Sequence, residues 1–197
     1  MGAMHTWLWG ERYPDFMDAL MPLASQPAEV AGRNRFFRRM ILDALESGSV
    51  EGLRSAIYTL MIMTGSPLQL QKLAPTRELA AALFDEMVEK RLKAASADDM
   101  LYAFDASRDY DPQPDLERIR APLFAVNSAD DVVNPPELGI MESAIQRVKR
   151  GRCILIPISG ETRGHGTHTQ AAVWKQYLQE LLQVSEPASA PAKTAPR

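Results

Sequence analysis

Apolar residues recur at helical spacing from the first position onward. Ala3, Met4, Trp7 and Leu8 share one stripe of a helix predicted over residues 1–13. Pro14 and Asp15 break it, and the apolar run over residues 16–24 reads as a short strand closed by Ser25, Gln26 and Pro27. From residue 28 to about 106 the periodicity stays helical. Phe36, Phe37, Met40, Ile41, Ala44 and Leu45 form one apolar face. Leu53, Ile57, Leu60 and Met61 form a second and Leu79, Leu83, Val88 and Leu92 a third, with Gly48, Gly65, Pro67 and Pro75 as breakers between them.

The last third of the chain alternates. After a turn-rich stretch around residues 109–114 and a short helical turn, residues 122–127 form a brief apolar run bounded by turn residues, the pattern of a buried strand. Asn134, Pro135 and Pro136 supply a cap and a first-turn proline for a helix predicted over residues 137–149. Residues 153–158 read as another strand, 159–167 as a loop, and 168–184 as a helix burying Ala172, Trp174, Tyr177, Leu178, Leu181 and Leu182. Residues 185–197 are rich in alanine, proline and serine, and are expected to be disordered. Strand, helix, strand, helix predicts a parallel α/β sheet, whose ligands gather beyond the carboxyl ends of the strands. Function is therefore expected in the loops after Asn127 and Ile158.

Composition narrows the classes. The 197 residues are 46% hydrophobic and 24% charged, with a formal net charge of −3. That is an ordinary globular balance with no global attraction to nucleic acid or to an anionic membrane. The lone Cys153 excludes an internal disulfide and a thiolate metal cluster. No apolar run approaches the ~18 residues of a membrane span, and no basic leader precedes one, so the expected compartment is the cytoplasm.

The two expected functional loops hold the candidate chemistry. The first carries Asp130 and Asp131, the second Gly164, His165, Gly166, Thr167 and His168. A carboxylate that accepts a hydrogen bond from one imidazole nitrogen fixes the tautomer and leaves the other nitrogen as a general base. Acid before histidine is the order of α/β-hydrolase triads, here Asp131 then His165. The plainer alternative is that the two aspartates shape a turn and His165 is an ordinary loop histidine. A nucleophile needs a strained Gly-x-Ser-x-Gly turn, and none is present. Ser66, Ser159 and Cys153 read as loop or core. His165, His168 and Asp130 make a weak metal set, and no metal site is expected. His5 reads as a packed residue of the opening helix. Arg33, Arg35, Arg38 and Arg39, interleaved with Phe36 and Phe37, read as a solvated helix with the phenylalanines on one face and most arginines on the other.

The opening stretch Met-Gly-Ala-Met-His-Thr-Trp-Leu-Trp-Gly-Glu-Arg-Tyr-Pro-Asp, followed by Pro22-Leu-Ala-Ser25, resembles the segment after the nucleophile in α/β-hydrolases related to homoserine O-acetyltransferase. Ala129-Asp-Asp-Val-Val-Asn-Pro135 is similar to that family's acid loop, in which the triad aspartate stands four residues before a proline. The resemblance covers about residues 1–184. It implies a partial α/β-hydrolase fold, parallel strands six to eight with helices over residues 1–27 and 111–184, and a helical lid insertion over residues 28–110. It also implies that Asp131 and His165 are the triad acid and base, and that Met1 and Gly2 are the remnant of the nucleophile elbow and oxyanion site, the serine lying just before Met1. The expected parent reaction is acyl-ester hydrolysis or acyl transfer, with an acyl ester or acyl-CoA as substrate and no resident cofactor. The chain alone is then expected to be inactive, and its unpaired strand edge to allow self-association or pairing with a separate amino-terminal half, the latter as a non-catalytic scaffold.

Overall fold

A computed structural model describes residues 1–185. In chain order it contains α1 (Gly2–Arg12), α2 (Gly32–Glu46), α3 (Val50–Thr64), α4 (Pro67–Leu73), α5 (Arg77–Ala94), α6 (Ala97–Asp105), β1 (Leu123–Ser128), α7 (Ile140–Ile145), β2 (Gly151–Ile156) and α8 (Ala171–Ser185). Short 3-10 turns lie at Gln113–Arg118, Pro136–Leu138 and Gly166–Thr169.

All six residues of β1 are buried, and the period-two alternation of a strand divides their side chains between two faces. Leu123 and Ala125 join Met4, Trp7, Leu116, Met141 and Ile145, the layer supplied by α1, the first 3-10 turn and α7. Phe124 and Val126 pack with Ile154, Ile156 and Leu181 on the α8 side. β2 lies parallel to β1, from Leu123 facing Gly151 to Ser128 facing Ile156.

On the other side of β1 runs segment 20–24. The N–H groups of Leu20 and Ala24 donate to the carbonyls of Pro122 and Val126, and the carbonyls of Leu20 and Pro22 accept from Phe124 and Val126. The rung between them would be donated by residue 22 to the carbonyl of Phe124, and proline has no N–H. The strand expected over 16–24 is thereby cut to two isolated parallel bridges, Leu20 with Leu123 and Leu23 with Val126. The three-segment order, 20–24 then β1 then β2, survives.

Other boundaries differ from expectation, β2 among them, which runs Gly151–Ile156 rather than over 153–158. The helix expected over 137–149 is a 3-10 turn and the six-residue α7, separated at Gly139, whose φ of +64° is left-handed and cannot continue a helix. Asn134 does not cap it: the N-cap position falls on Pro135, and Asn134 Nδ2 instead donates to the carbonyl of Ala24 and the carboxylate of Asp131. The last helix begins at Ala171 rather than residue 168, and runs to Ser185, the first residue of the expected tail. Residues 186–197 of that tail lie outside the described residues. In α8 Leu181 is buried and Leu182 exposed.

The helices of residues 32–105 build a second core. Phe37, Ile41 and Leu45 of α2 meet Ala56 and Met63 of α3, with α6 closing over them through Met100, Leu101 and Phe104. The α2 stripe is narrower than its sequence pattern. Phe36 is 72% exposed and Met40 59%, each about 100° round the helix from a buried neighbour. In α5 only Val88 is buried, and Leu79 of the expected third face is exposed. Val133, from the loop after β1, plugs into this helical core and joins it to the sheet side.

Candidate active site

Both loops with candidate chemistry leave the carboxyl ends of the parallel strands. Asp131 stands three residues beyond the end of β1 and its N–H donates to the carbonyl of Ser128. It is 1% exposed. Its Oδ1 accepts the N–H groups of Val133 (2.8 Å) and Asn134 (3.2 Å), and its Oδ2 accepts the Asn134 side-chain amide at 3.3 Å. These donors satisfy carboxylate oxygens cut off from water. The remaining bond on Oδ2 comes from His165, whose Nδ1 lies 3.0 Å away. That bond places the proton on Nδ1 and leaves Nε2 with its lone pair.

The loop that carries His165 is tightly wound. Gly164 has φ of +59°, and a Cβ there would stand 3.1 Å from the carbonyl oxygen of Gly65, so glycine suits both the backbone and the space. Thr167 turns the chain back, accepting the N–H of Arg163 at 2.8 Å and donating its own N–H to Gly164. His168, expected at the start of the last helix, sits instead in the 3-10 turn, where its Nδ1 donates to the carbonyl of His165 at 2.6 Å. The two imidazole rings are 5.3 Å apart.

Asp130 has a different task from Asp131. Its carboxylate accepts the hydroxyls of Ser128, Ser66 (3.2 Å) and Thr162 (3.1 Å) and the N–H of Gly164 (3.0 Å). Burial alone would raise its pKa, but these hydrogen bonds outweigh it and hold the carboxyl below the ordinary aspartate value. The carboxylate ties Ser66, at the start of α4, and the end of β1 to the histidine loop. Among the described residues no cluster of three or more histidine, cysteine, aspartate or glutamate side chains could hold a metal ion.

Met1, the N-cap, and Gly2, the first residue of α1, line a cavity of about 990 Å³ that is also lined by His165 and His168. Asn34 and Arg38 of α2 also line it. Arg38 is half-buried, donates to Asn34 and Ser107, and stacks over Phe37 and Phe104. It is therefore not part of a solvated arginine face, and burial, with the nearby Arg35, lowers its pKa. Burial and Arg38 likewise lower the pKa of the Met1 amine. His5, expected to be packed, is exposed.

Several site residues escaped the sequence pattern. Asn134 looked like a helix cap, although an Asp-x-x-Asn run after a strand is also a signal for side-chain to backbone turns. Ser66 is the N-cap of α4 and binds Asp130. Gln69, one turn later, donates to the carbonyls of Gly160 (2.7 Å) and Thr162 (3.1 Å). Ala24, at the end of segment 20–24, has φ of +53°, a strained value for a residue with a Cβ, and its carbonyl is held by Asn134.

No protein-family model matches the chain, and no curated protein matches it in sequence. Solved structures do match in shape. An α/β hydrolase enzyme from a Medee basin deep-sea metagenome library matches with a TM-score of 0.71 at 16% identity, over 98% of this chain and 65% of its own. An acetylester hydrolase from Corynebacterium glutamicum gives 0.73 at 16% identity, over 95% and 59%. A homoserine O-acetyltransferase from Staphylococcus aureus gives 0.75 at 16% identity, over 98% and 58%. The chain spans less than two thirds of the length of each of these three.

Proposed function

Starting from a chain that carries the α/β-hydrolase fold over part of that fold's length, we propose that it supplies the acid–base half of a site for acyl-ester hydrolysis or acyl transfer. Asp131 orients His165, His165 moves the proton, and a serine nucleophile comes from polypeptide ahead of Met1. The observation that carries this reading is the 3.0 Å contact between His165 Nδ1 and a fully buried, backbone-pinned Asp131, in a cavity shared with Met1 and Gly2. In the proposed reaction Nε2 takes the serine proton as Oγ attacks the ester carbonyl, then returns it to the departing alcohol. Water or an alcohol acceptor repeats the exchange on the acyl-enzyme. The first-turn N–H groups of α1 have no intrahelical partner and no side-chain cap, which suits them to the developing oxyanion.

The test is to read the coding DNA upstream of Met1 and express the longer frame. A Gly-x-Ser run there, with turnover of a short acyl ester that His165→Ala abolishes, is the expected result. The chain alone is expected to show no triad-dependent turnover. Turnover by the chain alone that is lost on His165→Ala overturns the upstream-serine proposal.

One observation favours a second reading, a non-catalytic fragment that pairs with a separate amino-terminal half or with itself. Segment 20–24 uses Leu20, Pro22 and Ala24 to pair with β1, while the N–H and C=O groups of Met21 and Leu23 have no backbone partner among the described residues. Such an edge accepts another strand. A stop codon immediately upstream, with association in sedimentation that Leu23→Pro abolishes, is the outcome this reading expects.

A further inference from the structure

Asn127 is out of place in its strand. All six residues of β1 are buried, and by the alternation of a strand Asn127 lies on the face of Leu123 and Ala125, which pack in an apolar core layer. An apolar side chain of the same size would carry no penalty there, whereas a buried amide must replace the hydrogen bonds it made to water. Asn127 replaces them only in part. Its Nδ2 donates to the carbonyl of Asn134 at 2.8 Å, while its buried Oδ1 has no hydrogen-bond partner among the described residues. A second unfavourable feature is Ala24, whose φ of +53° is left-handed although the residue carries a Cβ. Its carbonyl is also bonded to Asn134, through Nδ2 at 2.9 Å. Both departures from the most stable arrangement converge on Asn134, which is 5% exposed. Asn134 in turn grips Asp131. Its N–H donates to Oδ1, and its Nδ2 donates to Oδ2, the oxygen that also accepts from His165 Nδ1.

Resting on the acid–base reading above, we infer that Asn134 and Asn127 are positioning residues of the site: Asn134 fixes the turn of the Asp131 carboxylate toward His165, and Asn127, anchored in the sheet, fixes Asn134. The line of contacts runs from β1 through Asn127, Asn134 and Asp131 to His165. Without Asn134 Nδ2, Oδ2 keeps His165 as its one donor, and the carboxylate can rock about the Oδ1 side that the backbone N–H groups of Val133 and Asn134 hold. Without Asn127, the Asn134 peptide loses its side-chain tie to the strand. Locally unfavourable residues persist where the surrounding structure holds them for geometry rather than for stability, and such residues cluster at functional sites. A general base gains from this because displacement of reacting groups by about 1 Å is enough to cost 10²-fold in rate.

The experiment uses the 197-residue chain and needs no nucleophile. Imidazole NMR reads the His165 Nδ1 proton as the reporter of the bond to Asp131, and thermal unfolding reads stability. Asn127→Leu is the deciding variant, because it removes the tie without leaving a buried amide. Its melting temperature is expected to equal or exceed that of the parent, while the His165 Nδ1 proton moves upfield as the bond to Asp131 weakens. Asn134→Ala is expected to move it further in the same direction. Should Asn134→Ala not fold, Asn127→Leu decides alone. A melting temperature clearly lowered by Asn127→Leu makes the asparagine a structural residue, and an unmoved proton shows Asp131 held without it. Either result overturns the inference. In the longer frame with its serine, Asn127→Leu is expected to lower kcat about 10–100-fold with KM unchanged. An upfield shift combined with an inactive longer frame refutes the acyl-transfer reading alone. Turnover that Asn127→Leu leaves unchanged refutes the positioning role alone.

Discussion

Replacing Asp130 by alanine tests whether this aspartate holds α4 against the histidine loop. Its carboxylate accepts four hydrogen bonds, from Ser128, Ser66, Thr162 and Gly164. A hydrogen bond to a charged group contributes about 1.5–3 kcal/mol, but the four are not additive, because freed donors find other partners. Thr162 Oγ1 already reaches the carbonyl of Ser159 at 3.1 Å. Ser66 keeps its place at the N-cap of α4. The N–H of Gly164 has no other partner among the described residues. The net loss is therefore expected at about 2–4 kcal/mol for Asp130→Ala and about 1–2 for Asp130→Asn, which keeps one acceptor oxygen. That is a sizeable share of the ~5–15 kcal/mol that holds a domain folded. Urea unfolding at pH 7 measures it, with an unchanged m-value as the check that only stability moved. The pH arm has a definite sign. The folded carboxyl titrates below its ordinary value of 3.8, so its contribution is complete above that value and lost as pH falls through the folded pKa. The gap between the parent chain and Asp130→Asn should be full at about pH 6 and shrink below about pH 4. An alanine variant within about 0.5 kcal/mol of the parent, or a gap that ignores pH, would refute the reasoning.

Asp131→Asn should turn an amide N–H toward His165 Nδ1 and move the ring proton to Nε2, read directly from the 15N shifts of the imidazole. In a form that also carries a serine nucleophile, the same change is expected to lower kcat by roughly 10³–10⁴-fold. Glu11 is 4% exposed, and burial, followed by Asp115, pushes its pKa up to about 7. The folded state then holds a proton that the unfolded state has released, so stability falls as pH rises from about 4.5 to 7. Glu11→Gln should remove that slope and gain on the order of 1–2 kcal/mol at pH 8, after discounting for solvent screening. Thermal unfolding across pH checks it, and a parent chain with a flat profile counts against it. The Cys153 thiol, half-buried on β2 and pushed up to about 11 by burial and Glu142, should resist iodoacetamide at pH 7.5 until urea unfolds the chain. Rapid alkylation of the native protein would contradict that.

Local signals carried much of the architecture. The apolar run at β1, the opening helix and the breakers between the helices all act within one or two turns of chain, and such short-range chemistry is written residue by residue. The pairing of Asp131 with His165 was also legible, because each sits at the carboxyl end of an adjacent parallel strand, where the topology brings loops together. Periodicity misjudged how much of each helix is covered. Phe36, Met40 and Leu79 are as apolar as their buried neighbours, and only the packing of α2 and α5 leaves them outside.

What the sequence determined by itself is therefore the order and period of the elements and the identity of the two residues that could form an acid–base pair. The tertiary structure alone decided what the neighbouring Asp130 does, which is to tie α4 to the histidine loop. Both aspartates follow the same strand, and their roles diverge through partners far away in the chain, His165 for one and Ser66, Thr162 and Gly164 for the other. It also decided that Pro22 thins a strand to two bridges and that His165 and His168 line two separate cavities. The physical reason is the same in each case. Hydrogen-bond partners and cavity walls come from segments brought together only by burying a shared core, and no short-range pattern records which donor will face which acceptor.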